Sequence, residues 1–517
     1  MQKAWISAMQ FPHETSRVEW RETHISQILL TGEWVYKIKK PVNFGFLDFS
    51  TLAQRKHYCE EELRLNRRSA PHLYESVVPL FKDGEDYNFC GKGEVIDYAV
   101  KMKQFDPDAL LLNSLPDLAE NHDVFQVLAF DLAAFHDGAQ RCADEQAHGD
   151  AESVLFPVEE NFRQILPRLQ NPEDMARLDR IQDWSQAQCK ALRAVFTRRK
   201  QEGRIRECHG DLHLANIALI EKKPVLFDCI EFNARFRWID VASDLAFLLM
   251  DLEIHGYPEQ ANWVLNCYLD YSADYELLSV LTFYQVYRAM VRAKVAVLRR
   301  EQATPEEAEG LLQQFRRHLD YAETVIQPSN AYLAITCGVS GSGKSTLARR
   351  VAAQTGAIHL RSDVGRKQIA GLKPLQSSAA IDPDDPEALY AHSYTVRTFQ
   401  RLQQLAQHSI GLHYPVIVDA TFLKRVAREP FHQLAQSVNI PFHILFLDLP
   451  AALLRERLTL RQQKKNDPSE ADVTVMERQL AEREGFTSQE EGWVIRVDDE
   501  IGSVGFSWDW NTVLRSG

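Results

Sequence analysis

Nine residues, Gly338 to Thr346, have the types and spacing of a polyphosphate-binding loop. They read Gly-Val-Ser-Gly-Ser-Gly-Lys-Ser-Thr and fit the pattern G-x-x-x-x-G-K-[ST] in full, directly after an apolar run. The glycines let backbone N–H groups turn toward phosphates, Lys344 can reach the β- and γ-phosphates, and the Ser345 hydroxyl can bind Mg²⁺. We expect ATP and Mg²⁺ to bind here. The predicted binding residues are Gly338, Ser340, Gly341, Ser342, Gly343, Lys344, Ser345 and Thr346.

A second group of polar residues has the spacing that phosphoryl transfer requires. Asp211 lies in Cys-His-Gly-Asp, Asn216 follows it by five residues, and Asp228 ends the apolar run Pro-Val-Leu-Phe. In such a site an aspartate orients and deprotonates the acceptor hydroxyl, while an asparagine and a second aspartate hold Mg²⁺ on the phosphates. A lone His-Gly-Asp could equally cap a turn. The three groups together favour Asp211 as the base, with Asn216 and Asp228 as metal ligands.

The stretch before this group predicts the elements that would position a nucleotide. Residues 26–40 alternate as two short strands joined at Thr31-Gly32, with Lys37 in the middle of the second strand. Ser50 or Thr51 can cap a helix that runs to about Arg68. This is the order of a protein-kinase N-lobe, in which a strand lysine pairs with a helix glutamate and binds the α- and β-phosphates. A solvated edge-strand lysine is the alternative for Lys37.

At this point the chain resembles the aminoglycoside phosphotransferase and choline kinase superfamily. The resemblance rests on residues 209–216, 227–228 and 239–246, and it extends over about residues 20–300. It implies an α+β, protein-kinase-like fold for the N-terminal domain. The family's last motif contains an aspartate that braces the catalytic loop, a role that the resemblance assigns to Asp240. The alternative for Asp240 is an ordinary helix N-cap.

Two features of the N-terminal part depart from the family pattern. No Gly-rich phosphate loop precedes Lys37, because only Thr31-Gly32-Glu33 occupies the turn. The glutamate partner of Lys37 is one of Glu60, Glu61 and Glu62, and spacing alone does not choose among them. We take Glu62 as the candidate.

The segment after the phosphate loop predicts an α/β domain with a doubly wound parallel sheet. Apolar runs alternate with helical stretches and end in polar residues, as in buried parallel strands whose site lies at their carboxyl ends. The runs cover residues 356–360, 415–419, 442–448 and 493–497.

Three aspartates follow these runs and are candidates for chemistry. Asp419 has the form of a carboxylate that holds Mg²⁺, and Asp448 is the competing candidate; we favour Asp419 because it follows the central strand of the prediction and has Thr421 beside it. Asp363, predicted one strand from the phosphate loop, can accept a proton from an acceptor hydroxyl. A helix N-cap is the alternative for Asp363.

A basic helix follows the third of these runs. Arg455, Arg457 and Arg461 lie on it, followed by two lysines. This arrangement looks like the lid of a small P-loop kinase, which supplies arginines to the transferring phosphate; a solvated face is the alternative. Residues 331 to about 500 resemble the P-loop kinases that include gluconate kinase, polynucleotide 5′-kinase and zeta toxin.

Composition and charge limit the remaining possibilities. The 517 residues are 45% hydrophobic and 25% charged, with a net charge of −13. From residue 328 onward there are 21 basic and 21 acidic residues, so the acidic excess lies earlier and only the second domain is a candidate for nucleic acid. Eight cysteines without a C-x-x-C pair indicate neither zinc nor disulfides. No apolar run has the length of a membrane span or signal peptide, so we expect a cytoplasmic protein.

These observations predict two domains, residues 1–327 and 328–517, joined at a Gln-Pro-Ser-Asn hinge. Three functional hypotheses follow. The first is an enzyme with two ATP-dependent phosphotransferase sites for small hydroxylated acceptors. The second is a regulatory nucleotide-binding protein in which one kinase-like domain is degenerate. The third is a kinase of polynucleotide 5′-hydroxyl ends.

Overall fold

The computed structural model describes residues 9–515 except 16, 46, 144, 378–388, 390, 465–470 and 498–508. The chain forms two compact units. The first comprises the chain up to Asp251 together with Phe283–Leu319, and the second comprises Leu252–Thr282 and the chain from Asp320.

The first unit begins with an antiparallel sheet whose described strands follow the order β1-β2-β3-β6-β4-β5. The predicted strand pair in residues 26–40 is confirmed as β2 and β3, which meet at a tight turn where the Thr31 N–H donates to the Trp34 carbonyl at 2.9 Å. The strands are β1 (Glu19–Glu22), β2 (Ser26–Leu30), β3 (Trp34–Lys39), β4 (Tyr74–Asp83), β5 (Asp86–Asn88) and β6 (Glu94–Lys103).

One helix, α1 (Leu52–Asn66), packs on this sheet. Thr51 caps it: the Thr51 hydroxyl accepts the Gln54 N–H, and the Gln54 side chain accepts the Thr51 N–H. This reciprocal cap satisfies backbone donors that the first helical turn leaves without partners. The predicted helix is therefore confirmed.

The rest of the first unit is mainly helical, with two short antiparallel strand pairs, β7 with β10 and β8 with β9. The helices and strands from here to the second sheet are α2 (Leu111–Leu118), α3 (His122–Gly138), α4 (Ala151–Ile165), α5 (Pro172–Ala191), α6 (Arg193–Gln201), β7 (Ile205–Glu207), β8 (Ile217–Ile220), β9 (Lys223–Leu226), α7 (Ala234–Arg237), β10 (Trp238–Asp240), α8 (Val241–Ile254), α9 (Pro258–Ser272), α10 (Leu278–Arg300) and α11 (Pro305–Val325). The predicted α+β class of this part is confirmed.

The second unit is built on a parallel sheet with the order β12-β13-β11-β14-β15. Later strands are added on both sides of β11, as in the predicted doubly wound sheet. Its elements are β11 (Leu333–Cys337), α12 (Lys344–Thr355), β12 (Ile358–Arg361), α13 (Ser362–Ile369), α14 (His392–Gly411), β13 (Val416–Asp419), α15 (Arg425–Ser437), β14 (Phe442–Phe446), α16 (Ala451–Lys464), α17 (Val473–Glu482), β15 (Val494–Arg496) and α18 (Trp510–Arg515). The sequence also predicts a helix over residues 386–407, and the start of this range lies outside the described residues.

Helix α9 precedes the predicted domain boundary at residue 328 in sequence but packs within the second unit. The two units therefore differ from the predicted domains, which place this helix in the first one. The Asn262 side chain donates to the Ala353 carbonyl of α12 at 2.8 Å. Asn266 accepts the His359 N–H at 2.7 Å and donates to the Ala357 carbonyl at 3.0 Å. Because β12 is an edge strand, the bonds of Asn266 satisfy backbone groups that would otherwise face water.

The eight cysteines carry free thiols, seven of them buried. Among the described residues, no helix combines the length and the apolar character that crossing a bilayer requires.

Candidate active sites

The first candidate site is centred on Lys37 in β3. Its Nζ lies 2.9 Å from Oε1 of Glu62 in α1 and 2.5 Å from Oδ1 of Asp228. Of the three candidate glutamates, the structure places Glu62 beside Lys37, whereas Glu61 pairs with Arg64 and Glu60 lies at the surface. Burial disfavours the charged form of Lys37, but the charges of Asp228 and Glu62 outweigh it and raise its pKa well above the ordinary value.

A second lysine, Lys39, lies on the same face of β3 because side chains two residues apart in a strand share a face. Its Nζ lies 2.7 Å from Oε2 of Glu62 and also contacts Oε1 of Glu231. Lys39 and Glu62 are fully buried and Glu231 nearly so. The sequence reasoning did not identify Lys39 or Glu231; the i, i+2 repeat of lysines within an otherwise apolar strand was the available signal.

The loop between β7 and β8 contains Asp211 and Asn216. The Asn216 amide nitrogen donates to the Asp211 carbonyl at 2.9 Å and to Asp211 Oδ2 at 3.3 Å. Nε2 of His213 lies 3.5 Å from the same carboxyl oxygen. Burial alone would raise the pKa of Asp211, but His213, Arg292 and His209 together hold it well below the usual range. Asp211 is therefore ionised at neutral pH, as a proton acceptor must be.

Asp228 follows the β8–β9 hairpin, which brings it near Asn216. The Phe227 N–H donates to the Asn216 carbonyl at 3.0 Å, so the chain immediately before Asp228 is bonded to the loop that contains Asp211. Asp228 has a left-handed backbone with φ of 63°, and its N–H donates to the Tyr74 hydroxyl at 3.1 Å. Its side chain is 39% exposed. The hairpin thus presents one accessible carboxylate next to Lys37.

The loop that contains Asp211 is braced by Asp244, not by Asp240 as the family resemblance implied. Asp244 accepts the backbone N–H of His209 at 2.8 Å and of Gly210 at 2.9 Å. Burial opposes its ionisation, but the hydrogen bond from His136 and nearby positive charge lower the pKa of Asp244 to about 2. Asp240 instead caps α8 and pairs with Arg199.

The positions of the two aspartates relative to α8 explain why Asp244, and not Asp240, contacts this loop. Asp240 ends β10, so its side chain is directed to the start of α8, whereas Asp244 lies one turn into the helix. The loop is held from a second side by Arg288, whose Nη1 donates to the Gly210 carbonyl at 2.8 Å. Gly210 has φ of 89°, and a Cβ there would approach the Phe236 carbonyl to 2.6 Å. A side chain at position 210 would therefore displace the loop.

The second candidate site is the loop between β11 and α12. Gly338, Gly341 and Gly343 all have positive φ, and a Cβ on Gly338 would lie 2.7 Å from the Leu447 carbonyl oxygen. Nζ of Lys344 donates to the Val339 carbonyl at 2.7 Å, so the lysine folds back over the loop that it would share with phosphates. The remaining predicted binding residues lie on the loop and the first turn of α12: Ser340, Ser342, Ser345 and Thr346.

Asp419 ends β13, the strand next to the phosphate-loop strand. Its Oδ1 accepts the Thr336 hydroxyl at 3.3 Å, and its Oδ2 lies 3.3 Å from Nε2 of His359. Burial alone would raise the pKa of Asp419, but the bonds from His359 and Ser345 and the charge of Arg361 hold it well below the usual range. The bond from Ser345 links the two predicted metal ligands. The sequence reasoning did not identify His359, which lies in the apolar run before Arg361.

Two other aspartates are placed differently. The competing Asp448 follows β14, is half exposed and pairs with Arg483 at 2.6 Å. Asp363 lies in the first turn of α13, directly after β12. Since β13 separates β12 from β11, Asp363 lies two strands from the phosphate loop, and the predicted distance of one strand is wrong; the central strand is β11 and not β13. The role of Asp363 stays a prediction.

Helix α16 carries the predicted arginines. Leu454 and Leu458 bury one face of the helix against Val339 of the phosphate loop. Arg455 points elsewhere, to an exposed ion pair with Glu477 at 2.9 Å. A Cβ built on Gly343 would lie 3.5 Å from Nη1 of Arg457, which places this guanidinium beside the phosphate loop. The side chain of Arg461 lies outside the described residues.

The fold and the two sites define a chain that joins a protein-kinase-like α+β unit to a P-loop α/β unit. A family model described as "AAA domain" matches residues 333–486. The "Uncharacterized protein Rv2004c" of Mycobacterium tuberculosis (strain ATCC 25618 / H37Rv) is 31% identical over 407 residues, which are 78% of each chain. The chain belongs to the family of this mycobacterial protein.

Two solved structures overlap separate parts of the chain. The choline kinase from Cryptosporidium parvum Iowa II is 10% identical and has a TM-score of 0.36, with 60% of this chain and 90% of that chain covered. The gluconokinase from Sinorhizobium meliloti 1021 is 23% identical and has a TM-score of 0.21, with 33% of this chain and 83% of that chain covered.

Proposed function

We propose that the protein is an ATP-dependent phosphotransferase with two nucleotide sites, one in each unit, acting on small hydroxylated acceptors. The observation that carries this proposal is the arrangement in the first unit, where Lys37 contacts both Glu62 and Asp228. A solvated edge-strand lysine would not need a fully buried partner such as Glu62. A strand lysine held by a helix glutamate beside a metal-binding aspartate is the arrangement that protein kinases use for ATP.

Asp211 acts as the base in this proposal. It accepts the proton of the acceptor hydroxyl as that oxygen forms a bond to the γ-phosphorus of ATP and the bond from this phosphorus to the β,γ-bridging oxygen breaks, releasing ADP. Asp244 and Arg288 keep the loop of Asp211 in place. The ionised state of Asp211 in the folded chain supports this role.

Asn216 and Asp228 would hold Mg²⁺ in the first unit. The Asn216 amide nitrogen is used in bonds to Asp211, which leaves its carbonyl oxygen for a metal, and the Asp228 carboxylate is accessible. Oxygen donors of this kind suit Mg²⁺, which would neutralise charge on the phosphates. In the second unit Ser345 and Asp419 would supply the corresponding oxygen ligands for Mg²⁺, and Lys344 would supply the ammonium group beside the phosphates.

The test separates the two units by silencing one at a time in the full chain. With Lys344→Ala as the background, Asp211→Asn should retain ATP–Mg binding and lose transfer, whereas Asp228→Ala should weaken Mg²⁺-dependent binding. Sugars, aminoglycosides, nucleosides and 5′-hydroxyl oligonucleotides serve as acceptors. A background protein that binds ATP but transfers phosphate to none of them would contradict a phosphotransferase in the first unit.

The second unit has its own matched pair of variants. In an Asp228→Ala background, Asp419→Asn should weaken Mg²⁺-dependent nucleotide binding, because Asp419 is buried beside Ser345 and the P-loop strand. Asp448→Asn is the control, since its half-exposed carboxylate pairs with Arg483. Equal effects of the two variants would contradict the metal assignment.

A regulatory nucleotide-binding protein is the second candidate, and one observation favours it. The turn between β2 and β3 spans residues 31–33, and its Gly32 N–H is already bonded to the Gln104 side chain at 2.9 Å. This turn is shorter than a Gly-rich loop that covers phosphates. Nucleotide binding without transfer in the first unit would support this alternative.

A further inference from the structure

The first site contains a second, fully buried lysine that its proposed chemistry does not use. Lys39 lies between two carboxylates, Glu62 of α1 and Glu231, which follows Asp228 by three residues. The two oxygens of Glu62 are divided between the lysines: Oε1 is 2.9 Å from Lys37 and Oε2 is 2.7 Å from Lys39. The cluster therefore holds two lysines against Glu62, Glu231 and the partly exposed Asp228.

Burial makes the charge balance of this cluster costly to disturb. A buried ion is tolerated when it is paired, and loss of one partner leaves the other charge uncompensated in a medium of low polarity. Without Lys39, both Glu62 and Glu231 would depend on Lys37 for a balancing positive charge. With Lys39 in place, Glu231 has its own counter-ion and Glu62 keeps one partner at all times.

Nucleotide binding requires a change at Lys37. In the structure its Nζ is bound to Asp228 at 2.5 Å, yet in the proposed reaction Lys37 must contact phosphates and Asp228 must face the metal. The ATP phosphates then compete with Glu62 for the charge of Lys37 unless another cation remains beside Glu62. Lys39 is the cation that remains, because its own partners are the two carboxylates.

We propose that Lys39 is a positioning residue of the first site: by holding the charges of Glu62 and Glu231 it leaves Lys37 available to the phosphates of ATP. This inference rests on the proposed function of the first unit. It assigns to Glu231 the complementary role of fixing the chain after Asp228 to β3.

The segment after Asp228 has another anchor, so variants of the ion pair have a way to stay folded. The Cys229 N–H donates to Oδ1 of Asn66 in α1 at 2.8 Å, and the Asn66 amide nitrogen donates to the Glu62 carbonyl at 2.9 Å. Loss of the Lys39–Glu231 pair therefore leaves the segment bonded to α1. The charge-balanced double variant Lys39→Met/Glu231→Gln is the one that best preserves packing.

The test measures ATP–Mg dissociation constants and unfolding midpoints of the full chain in a Lys344→Ala background. Lys39→Met should weaken binding by about 10- to 100-fold, because the carboxylates that lose their counter-ion draw Lys37 away from the phosphates, and each tenfold is about 1.4 kcal/mol. Lys39→Met/Glu231→Gln should recover part of this loss, to about 3- to 10-fold weaker binding than the background, because it removes the carboxylate without a counter-ion while Glu62 still shares Lys37 with the phosphates. A role in stability alone would move the unfolding midpoint and not produce this rescue.

Arg55 and Asp97 provide a matched control. They form a buried ion pair at 2.8 Å between α1 and β6 that does not include Lys37. Arg55→Met should lower the unfolding midpoint and leave the ATP–Mg constant within about twofold.

Three outcomes would overturn the inference. A folded Lys39→Met variant that binds ATP–Mg like the background contradicts the inference about Lys39 and leaves the proposed function of the first unit intact. If Lys39→Met does not fold, a folded double variant that binds ATP–Mg as tightly as the background contradicts it, because Glu62 would then need no second cation. A background protein without ATP–Mg affinity overturns both the inference and the proposed function of the first unit.

Discussion

Asp240 and Asp244 offer a paired test of which carboxylate supports the catalytic loop. Both are buried and both are paired, and they lie four residues apart. Replacing each with asparagine preserves shape and removes one charge. Only Asp244 is bonded to the backbone of His209 and Gly210, immediately before Asp211.

The structure gives different magnitudes for stability and turnover. Asp244→Asn keeps one carbonyl acceptor for two N–H donors, so one buried donor loses its partner at a cost of about 1–3 kcal/mol. Asp240→Asn breaks a bidentate pair with Arg199, with contacts of 2.7 and 2.8 Å, and leaves a buried guanidinium at a cost of about 3–5 kcal/mol. Stability should therefore fall more in Asp240→Asn.

Turnover should show the opposite order. A displacement of about 1 Å in a reacting group costs about 10²-fold in rate, and Asp211 lies next to the backbone that Asp244 holds. We expect kcat to fall by about 10- to 100-fold in Asp244→Asn and by less than about threefold per folded molecule in Asp240→Asn. The assay follows ADP release from ATP–Mg by the full chain in the Lys344→Ala background, with urea unfolding to count folded molecules.

Two results would contradict the role of Asp244 in positioning Asp211. If both variants lose the same turnover per folded molecule, the bonds to His209 and Gly210 do not position Asp211. If Asp240→Asn loses more turnover than Asp244→Asn, the assignment from the family resemblance was correct and the geometric argument fails.

Three further predictions concern the second unit. Asp363→Asn should retain ATP binding and lower transfer to an identified acceptor by about 10²–10⁴, the usual contribution of a general base, and wild-type transfer rates would exclude it. Arg457→Gln should weaken ATP–Mg binding in an Asp228→Ala background, whereas Arg455→Gln should not; equal affinities would contradict a role for Arg457 at the phosphate loop. Burial raises the pKa of Glu253 from 4.5 to about 7 in the folded chain, so its contribution to stability is complete below pH 4.5 and is lost as pH rises toward 7. Glu253→Gln should therefore reduce the difference between the urea unfolding midpoints measured at pH 5 and at pH 8. An unchanged difference would contradict a raised pKa of Glu253.

Local patterns in the sequence predicted most of the elements. The capped helix α1, the strand pair of residues 26–40 and the phosphate loop each depend on neighbours within a few residues, and the structure confirms these elements. The same holds for the step from Asp211 to Asn216, whose bond forms within one loop. Where the interacting groups are close along the chain, residue type and spacing carry the information.

The partners of these groups could not be predicted, because periodicity shows which side chains share a face and not what that face meets. The choice of Glu62 over its two neighbours follows from how α1 is rotated on the sheet. The Glu231 carboxylate reaches Lys39 across 192 positions of sequence, and His359 reaches Asp419 across 60. No local pattern links such pairs.

By itself, the sequence predicted two modules with the motifs of phosphate binding and the loops that belong to them, since each motif lies within a short stretch and its chemistry needs those residue types at that spacing. Only the tertiary structure decided that β13 lies beside β11, that Asp244 rather than Asp240 supports the catalytic loop, and that a second lysine shares Glu62. Each of these depends on strand order, helix rotation or packing between distant segments. They are properties of the folded chain as a whole, because the role of each buried charge depends on the partners that folding places beside it.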